Sequence, residues 1–313
     1  MRLVENISEK IEKTLKTLNL KPAEKIEDFI LRTGGRKHRY ATVCEDEKGR
    51  KFIFCARLHD SEKEKERMVT EVKLANALKK KRIKFFPKYF LAKKEKDFEW
   101  FLREYLEGEI LESKKEIEKL CRPLRQNEIL QICKILLQMQ KLKFPFLKAR
   151  ELKKLLILEK EIEKINELRQ EEKRKIKEIL KKNRKFLIKE NCYFAHGDFQ
   201  IGNLLFTQGR IKVIDLESAM ISNFAFDACF FWARLWREKE ARRKFLKTFF
   251  KLLPQSLQKK FKILFQIDAL FLGFHSFLAT PREYSKAMLF KRKKYFLNLL
   301  KGAILGFDFL KKL

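Results

Sequence analysis

An aspartate, an asparagine and a second aspartate stand close together in the sequence. Asp198 follows His196 and Gly197, Asn203 comes five residues after Asp198, and Asp215 ends a short apolar run. Phosphoryl transfer needs such groups, because Mg²⁺ must neutralise the dispersed charge of the transferred phosphoryl while a carboxylate orients the attacking hydroxyl. One carboxylate for the hydroxyl, with one amide and the other carboxylate for the metal ion, would satisfy these needs.

Short strands must position these residues. The runs at 193–195, 203–206 and 211–214 are apolar and strand-like, and a turn is predicted at 208–209. This arrangement places Asp215 at the end of a strand, which is a usual place for a ligand. The alternative is that the His-Gly-Asp sequence is only a turn and that Asp215 caps a helix. The presence of all the groups in order favours the phosphoryl-transfer site.

The motif as a whole resembles a known signature. His-Gly-Asp-x4-Asn at 196–203, followed by Ile-Asp-x-Glu at 214–217, is similar to the signature of the aminoglycoside phosphotransferase and choline kinase superfamily, distant relatives of protein kinases. The resemblance implies an α+β, two-lobed, protein-kinase-like fold. Residues 1–107 would form a nucleotide-binding N-lobe with a five-stranded antiparallel sheet and a helix, and residues 108–313 a mostly helical C-lobe. It also implies ATP or GTP and Mg²⁺ as cofactors and Asp198 as the catalytic residue. Asn203 and Asp215 would be the magnesium ligands, with Glu217 as a further metal ligand or a residue behind the ligands.

The resemblance also assigns residues to the nucleotide phosphates. Arg57 stands at the end of the third strand, where the family carries a basic residue for the α- and β-phosphates. An arginine differs from the lysine of protein kinases, although a planar guanidinium also suits phosphate oxygens. Glu71 in the following helix is its expected partner, with Glu64 and Glu66 as alternatives.

Two backbone segments are expected to contact the nucleotide. Gly34 and Gly35 form a turn before a strand, and without a Cβ their amides can approach a phosphate. The strand that begins at Phe98 ends in a sequence resembling the family's hinge, where the backbone from Glu104 to Leu106 would hydrogen-bond an adenine. The alternatives are that the two glycines form only a hairpin turn and that the chain after the strand is only a connection to the next element.

The remaining pattern predicts which elements surround the site. Extended runs predict strands, and with them the antiparallel sheet, at 29–31, 38–44, 51–58, 86–91 and 98–106. A helix is predicted from about 61 to 80, and the pattern is helical from 111 to about 190. Phenylalanine-rich stripes in the C-terminal helices are expected to form core. The apolar stretch at 263–279 contains Asp268, and it is therefore expected to be a buried helix rather than a membrane span.

Two residues beside the motif have structural roles if the resemblance holds. Family members carry an aspartate at the distance of Asp227, which begins a helix and braces the catalytic loop. The alternative is that Asp227 is only a negative charge at a helix N-terminus. His196 is expected to support the loop and not to react.

Composition restricts the classes of function. The 313 residues carry a net charge of +32, which would attract nucleic acid, acidic membranes or anionic substrates. The lysine runs lie on polar faces of helix-like segments, however, where charge is usually solvated. The six cysteines are scattered and form no Cys-x-x-Cys pair, which disfavours a zinc site or disulfides and favours a reducing cytoplasm.

The predicted function is a kinase that phosphorylates a hydroxyl of a small molecule such as a sugar, an amino alcohol or an anionic metabolite. From Phe231 onward there are 20 lysines and arginines and 5 acids, which disfavours polycationic aminoglycosides as acceptors. The alternative is a catalytically silent, kinase-like basic scaffold that binds RNA or an acidic partner. Nucleic acid is the less favoured partner, because Asp198, Asn203 and Asp215 are all present. A protein kinase is disfavoured, because no Asp-Phe-Gly or Ala-Pro-Glu follows the loop.

Overall fold

An antiparallel sheet at the start of the chain is followed by a mostly helical remainder. The computed structural model describes residues 2–23, 39–58, 62–81, 83–94, 98–149, 151–279 and 284–307. The strands are β1 (Leu20–Pro22), β2 (Arg39–Asp46), β3 (Lys51–Leu58), β4 (Tyr89–Lys94), β5 (Phe98–Glu104), β6 (Glu109–Ile110), β7 (Tyr193–Ala195), β8 (Leu204–Thr207), β9 (Arg210–Val213) and β10 (Met220–Ser222). The α-helices are α1 (Arg2–Thr17), α2 (Glu62–Lys80), α3 (Gln126–Met139), α4 (Glu151–Glu161), α5 (Gln170–Glu190), α6 (Phe226–Arg234), α7 (Lys239–Leu252), α8 (Gln255–Leu278) and α9 (Lys286–Ile304).

The chain divides into two compact units. The first unit comprises Met1–Gly108 together with Lys212–Glu217, and the second comprises Glu109–Ile211 and Ser218–Leu313. Residues 212–217, which carry Asp215, thus group with the sheet at the start of the chain. The assignment of nucleotide binding to residues 1–107 stays a prediction.

The first unit is built on a five-stranded antiparallel sheet in the order β1-β2-β3-β5-β4. The register places Phe54 of β3 opposite Leu102 of β5. Because side chains alternate along a strand, both residues face the side on which they pack with Ile11 and Leu15 of α1. Phe54 is fully buried, and burial of a side chain of this size contributes about 1.5–3 kcal/mol. The predicted five-stranded antiparallel sheet is confirmed.

Two strands of this sheet differ from the sequence prediction. β4 begins at Tyr89, later than the run at 86–91 predicts, because Pro87 has no amide hydrogen to donate to a neighbouring strand. The predicted run at 29–31 lies outside the described residues, and the fifth strand is the unpredicted β1, which pairs with β2. Helix α2 agrees with the prediction and packs against β4 and β5.

The second unit contains two small sheets that hold the predicted catalytic motif. β7 pairs antiparallel with β10, and β6 pairs antiparallel with β8. β9, which begins in this unit, completes the second sheet. Gln208 and Gly209 join β8 to β9 with φ of 47° and 74°, as a two-residue type I′ turn requires. The predicted turn is confirmed.

Phenylalanine side chains form the centre of the second unit. Phe231, Phe245, Phe249, Phe261 and Phe265 are all fully buried. The rings of Phe231 and Phe245 meet edge to face with centroids 4.8 Å apart, a favoured geometry for aromatic pairs. The expectation that these phenylalanines form core is confirmed.

Helix α8 is long and apolar enough to cross a membrane by length and composition, and it alone passes this test among the described residues. However, 67% of its most apolar window is buried inside the protein. Asp268 on this helix is also buried, and it accepts a hydrogen bond from Asn223 at 3.1 Å. The helix therefore packs as a core helix, as the sequence predicts.

Residues 111–125 do not continue the predicted helical pattern. They form an irregular loop in which Glu112 bridges to Leu120, and α3 begins only at Gln126. Glu118 in this loop has a φ of 53°, in the left-handed region that a helix does not allow. The prediction of helix was wrong here because a buried ion pair of Glu118, described below, overrides the local helical preference.

Candidate active site

The predicted catalytic loop begins at a glycine that no other residue can replace without strain. Gly197 has a φ of +81°, and a Cβ at this position would lie 2.1 Å from the carbonyl oxygen of Ser218. Only glycine combines this backbone conformation with so close an approach. The turn is therefore fixed by sequence immediately before Asp198.

Asp227 braces this turn. Its carboxylate accepts the backbone N–H of His196 at 2.7 Å through Oδ2 and the backbone N–H of Gly197 at 3.0 Å through Oδ1. Asp227 lies in the first turn of α6 and is only 6% exposed. Hydrogen bonds from backbone amides to a charged carboxylate are among the stronger ones in proteins. The prediction that Asp227 braces the loop is confirmed.

His196 supports the loop from inside. The side chain is fully buried, and its Nδ1 accepts the backbone N–H of Asp198 at 3.3 Å. Its ring meets the buried ring of Phe199 edge to face at 5.9 Å. A histidine held in this way orients the backbone of Asp198, the predicted catalytic residue, and so supports the loop as the sequence analysis expects.

The carboxylate of Asp198 is oriented by two side-chain amides. Gln200 donates from Nε2 to Asp198 Oδ2 at 3.1 Å, and Asn203 donates from Nδ2 to the same oxygen at 3.0 Å. Asn203 Nδ2 also donates to the backbone carbonyl of Asp198 at 2.9 Å. Because Nδ2 is engaged with Asp198, Oδ1 is the Asn203 atom that can coordinate a cation. An amide oxygen is a suitable hard ligand for Mg²⁺.

A second carboxylate, which the sequence analysis missed, lies near Asp198. Glu112 accepts the backbone N–H of Glu118 at 2.7 Å through Oε1. Burial raises the pKa of Glu112, and the negative charges of Glu118 and Asp198 raise it further against the lowering effect of that N–H. A Cβ at Gly202 would lie 2.7 Å from Glu112 Oε2, so this carboxylate packs directly on the predicted catalytic loop.

The loop that carries Glu112 is anchored by a buried ion pair. Glu118, only 5% exposed, accepts hydrogen bonds from Arg234, from Trp236 Nε1 at 2.6 Å and from Arg292 Nε at 3.2 Å. Burial opposes the charged form, but the two guanidinium groups outweigh it and hold the pKa of Glu118 below its usual range. Arg292 is itself 1% exposed. These contacts fix the position of the 111–125 loop beside Asp198.

In the first unit, two predicted site residues act on the same tyrosine. Tyr89 is buried, and burial raises the pKa of its phenol. The negative charges of Glu71 and Asp215 add to this increase, and Arg103 opposes it. Glu71 is 3% exposed on α2, and Asp215 has a φ of 66° just after β9. The negative charges of Glu71 and Asp215 therefore both act on the phenol of Tyr89.

The predicted hinge contains backbone groups that are free to hydrogen-bond a ligand. The Glu104 amide donates to Lys88 O at 2.9 Å, and Glu104 is the last residue of β5. Leu106 lies in the irregular segment after it, where its amide and carbonyl have no backbone partner within the described ranges. This is the condition that an adenine needs to form hydrogen bonds with the chain.

Other predicted positions are only partly described. Gly34 and Gly35 lie outside the described residues. The backbone of Arg57 pairs with Glu99 of β5, but its side chain, like those of Glu64 and Glu66, is outside the described part of the chain. Their roles stay predictions.

The predicted metal ligands belong to different units. Glu217 is half-buried in the same segment as Asp215, in the first unit, and Asn203 belongs to the second unit. Carboxylate and amide oxygens are the donors that Mg²⁺ prefers, so the chemistry of this set fits the ion. In the described ranges no three His, Cys, Asp or Glu side chains form a group that could hold a metal ion. The roles of Asn203, Asp215 and Glu217 stay predictions.

Solved structures with this fold include several kinases. The chain is similar to amicoumacin kinase hAmiN in complex with AMP-PNP, Ca²⁺ and Ami, with 13% identity, a TM-score of 0.57 and coverage of 100% of both chains. It is similar to choline kinase LicA from Streptococcus pneumoniae, with 14% identity, a TM-score of 0.56 and coverage of 98% and 100%. An aminoglycoside phosphotransferase from Alicyclobacillus acidocaldarius shares 13% identity, with a TM-score of 0.51 and coverage of 88% and 91%. At these identities the likeness establishes the kinase-like fold, as predicted.

Sequence comparison identifies the family. No curated protein sequence matches the chain. The model of the phosphotransferase enzyme family matches residues 33–253, which include the loop braced by Asp227 and the Asp215 segment. This match covers most of the chain, and the chain therefore belongs to the phosphotransferase enzyme family.

Proposed function

We propose that this phosphotransferase is a small-molecule kinase that transfers the γ-phosphate of ATP, with GTP as an alternative donor, to a hydroxyl group. The observation that carries the proposal is the loop geometry, in which Gln200 and Asn203 hold one oxygen of Asp198 and Asp227 braces the preceding turn. Such an arrangement positions a carboxylate for a hydroxyl nucleophile. The complex of hAmiN with AMP-PNP supports a nucleoside triphosphate as donor.

In the proposed reaction, Asp198 accepts a hydrogen bond from the acceptor hydroxyl and orients its oxygen towards the γ-phosphorus. A new bond forms between that oxygen and phosphorus, and the bond to the β,γ-bridging oxygen breaks. The hydroxyl proton passes to the Asp198 carboxylate late in the transfer, so an ordinary carboxylate basicity is sufficient. Asp198 is thus assigned the role of a positioned base.

Asn203 and Asp215 are the residues assigned to the metal ion, with Glu217 as a further candidate. When bound, Mg²⁺ would supply positive charge to the β- and γ-phosphate oxygens. Asn203 is suited to this task because its Nδ2 is anchored on Asp198. Arg57 and Glu71 are assigned to the α- and β-phosphates, and the backbone from Glu104 to Leu106 to the adenine.

The acceptor is assigned from the charge around Asp198. Glu112 adds a second carboxylate near Asp198; burial is the main cause of its raised pKa, and the negative charges of Glu118 and Asp198 add to the increase. Such a site disfavours an anionic metabolite, because like charges repel at short range. Of the acceptor classes considered, a sugar or an amino alcohol therefore fits best.

The test is ADP release with Mg-ATP across a panel of sugars and amino alcohols. We expect turnover with at least one compound, and a fall of about 10²- to 10⁴-fold in Asp198→Ala, the range of a lost general base. Thermal stabilisation by Mg-ATP should survive in the variant, since Asp198 is not assigned to the nucleotide. Unchanged turnover in Asp198→Ala would remove the assigned role.

A further inference from the structure

The first unit contains a cavity that the proposed reaction does not use. It has a volume of about 600 Å³ and lies between the end of α2, the segment before β4 and the end of β5. The charged residues that line it are Lys79, Lys81, Lys84, Lys88, Lys212 and Glu104. With five lysines and one glutamate, the lining carries four positive charges in excess. Small-molecule sites typically have volumes of about 300–1,000 Å³.

Three of these lysines have no close carboxylate partner among the described residues. Lys212 Nζ lies 3.6 Å from Glu104 Oε1 and donates to the carbonyl of Phe86 at 3.5 Å, so both contacts are long. Lys84 and Lys88 are exposed and have no carboxylate partner within the described ranges. Ammonium groups around a common cavity repel one another, and an anion placed between them would relieve the repulsion.

The wall of the cavity is apolar. Ile83 and Phe90 line it and are only half-buried, and the ammonium of Lys88 lies 5.1 Å from the ring centroid of Phe90. A bare inorganic ion would leave this apolar surface uncovered. A molecule with an aromatic or aliphatic body and a phosphate group would cover the wall and neutralise the lysines.

We propose that this cavity binds a small organic phosphate, at a site distinct from the proposed nucleotide site. Of the residues assigned to the nucleotide, Glu104 alone is among the described lining residues, and its assigned contact is through the backbone whereas its side chain faces Lys212. The ligand would compete with Glu104 for Lys212.

The site is placed to influence the nucleotide, although this coupling, unlike the binding itself, rests on the proposed function. Lys212 begins the segment that carries Asp215, and Glu104 begins the assigned hinge. Tyr89 lines the cavity, and the negative charges of Glu71 and Asp215 raise the pKa of its phenol. A ligand that draws Lys212 away from Glu104 therefore acts on both assigned segments.

The test is calorimetric titration of the full-length protein with phenyl phosphate, with and without saturating Mg-AMP-PNP. The cavity variant is Lys84→Gln/Lys88→Gln, which changes two exposed lysines. The control is Lys181→Gln/Lys182→Gln, which removes the same charge from two exposed lysines of α5 in the second unit. Thermal melting confirms that both variants fold.

We expect saturable one-to-one binding that the cavity variant weakens at least tenfold, that the control leaves within twofold, and that Mg-AMP-PNP does not abolish. Equal binding by the two variants, or no saturable binding by the wild type, would overturn the proposal. Loss of the heat signal with Mg-AMP-PNP would place the phosphate in the nucleotide site and also overturn it. The shift in melting temperature caused by Mg-AMP-PNP is measured in a separate experiment. A failure of the proposed nucleotide site is therefore distinguished from a failure of the proposed phosphate site.

Discussion

Replacement of Asp227 by asparagine tests whether the brace positions the catalytic loop. The aspartate accepts two backbone N–H groups, from His196 at 2.7 Å and from Gly197 at 3.0 Å. An asparagine can accept only one of them, and its own Nδ2 must face the other donor. A lost charge-assisted bond costs about 1.5–3 kcal/mol and an unsatisfied buried donor about 1–3 kcal/mol. We expect Asp227→Asn to lower the free energy of unfolding by about 3 kcal/mol.

The kcat of Asp227→Asn should fall by more than the loss of folding stability alone explains. Asp198 follows the released turn directly, and small displacements of a positioned group can cost about 100-fold in rate. The assay is kcat for ADP release well below the melting temperature, with urea denaturation of the same samples. The control is Leu246→Ala, a buried leucine of α7, which should cost about 3 kcal/mol without a change in kcat. If Asp227→Asn kept kcat within twofold of the wild type, the positioning role of the brace would be refuted.

Three further substitutions test the geometry of the second unit. Gly197→Ala should lower the free energy of unfolding by at least about 1–2 kcal/mol in urea denaturation and abolish turnover, because the turn needs a left-handed backbone and tolerates no Cβ. Because the pKa of Glu112 is raised by folding, ionisation of its carboxyl lowers the free energy of unfolding as the pH rises towards and through the folded pKa. Glu112→Gln should therefore become more stable relative to wild type between pH 4 and pH 7, and raise the KM for the acceptor; a pH-independent difference would contradict this. The lowered pKa of Glu118 gives stability that is lost as the pH falls, so Glu118→Gln should cost about 3–5 kcal/mol at neutral pH, because Arg234 and Arg292 lose their charged partner. That cost should shrink on acidification in the same denaturation series, and a constant cost would argue against the ion pair.

Local patterns predicted much of the fold and the motif. The extended apolar run at 51–58 was sufficient to predict β3, and it matches the observed bounds of that strand. The spacing between Asp198 and Asn203 indicated two residues with a joint task, and in the structure they share a hydrogen bond. These features can be predicted from the sequence because they depend on residues that are near one another in the chain.

Features that depend on distant residues were not predicted. Residues 111–125 are rich in lysine, glutamate and leucine, which is a helical composition. The structure instead draws Glu118 inward to Arg292, 174 residues later, and the resulting loop carries Glu112 to Asp198. Asp227 had two interpretations in sequence, and only its bonds to amides 30 and 31 residues earlier decide between them. No local signal marks such pairs.

The most direct test of the central claim is the thermal stability of the wild type and of Asp215→Ala with ATP, with and without Mg²⁺. A ligand at 100 times its Kd that binds only the native state stabilises it by about 2.7 kcal/mol. We predict a rise in the melting temperature that requires Mg²⁺ and that Asp215→Ala loses. A wild type whose melting temperature does not respond to Mg-ATP would contradict the proposed kinase.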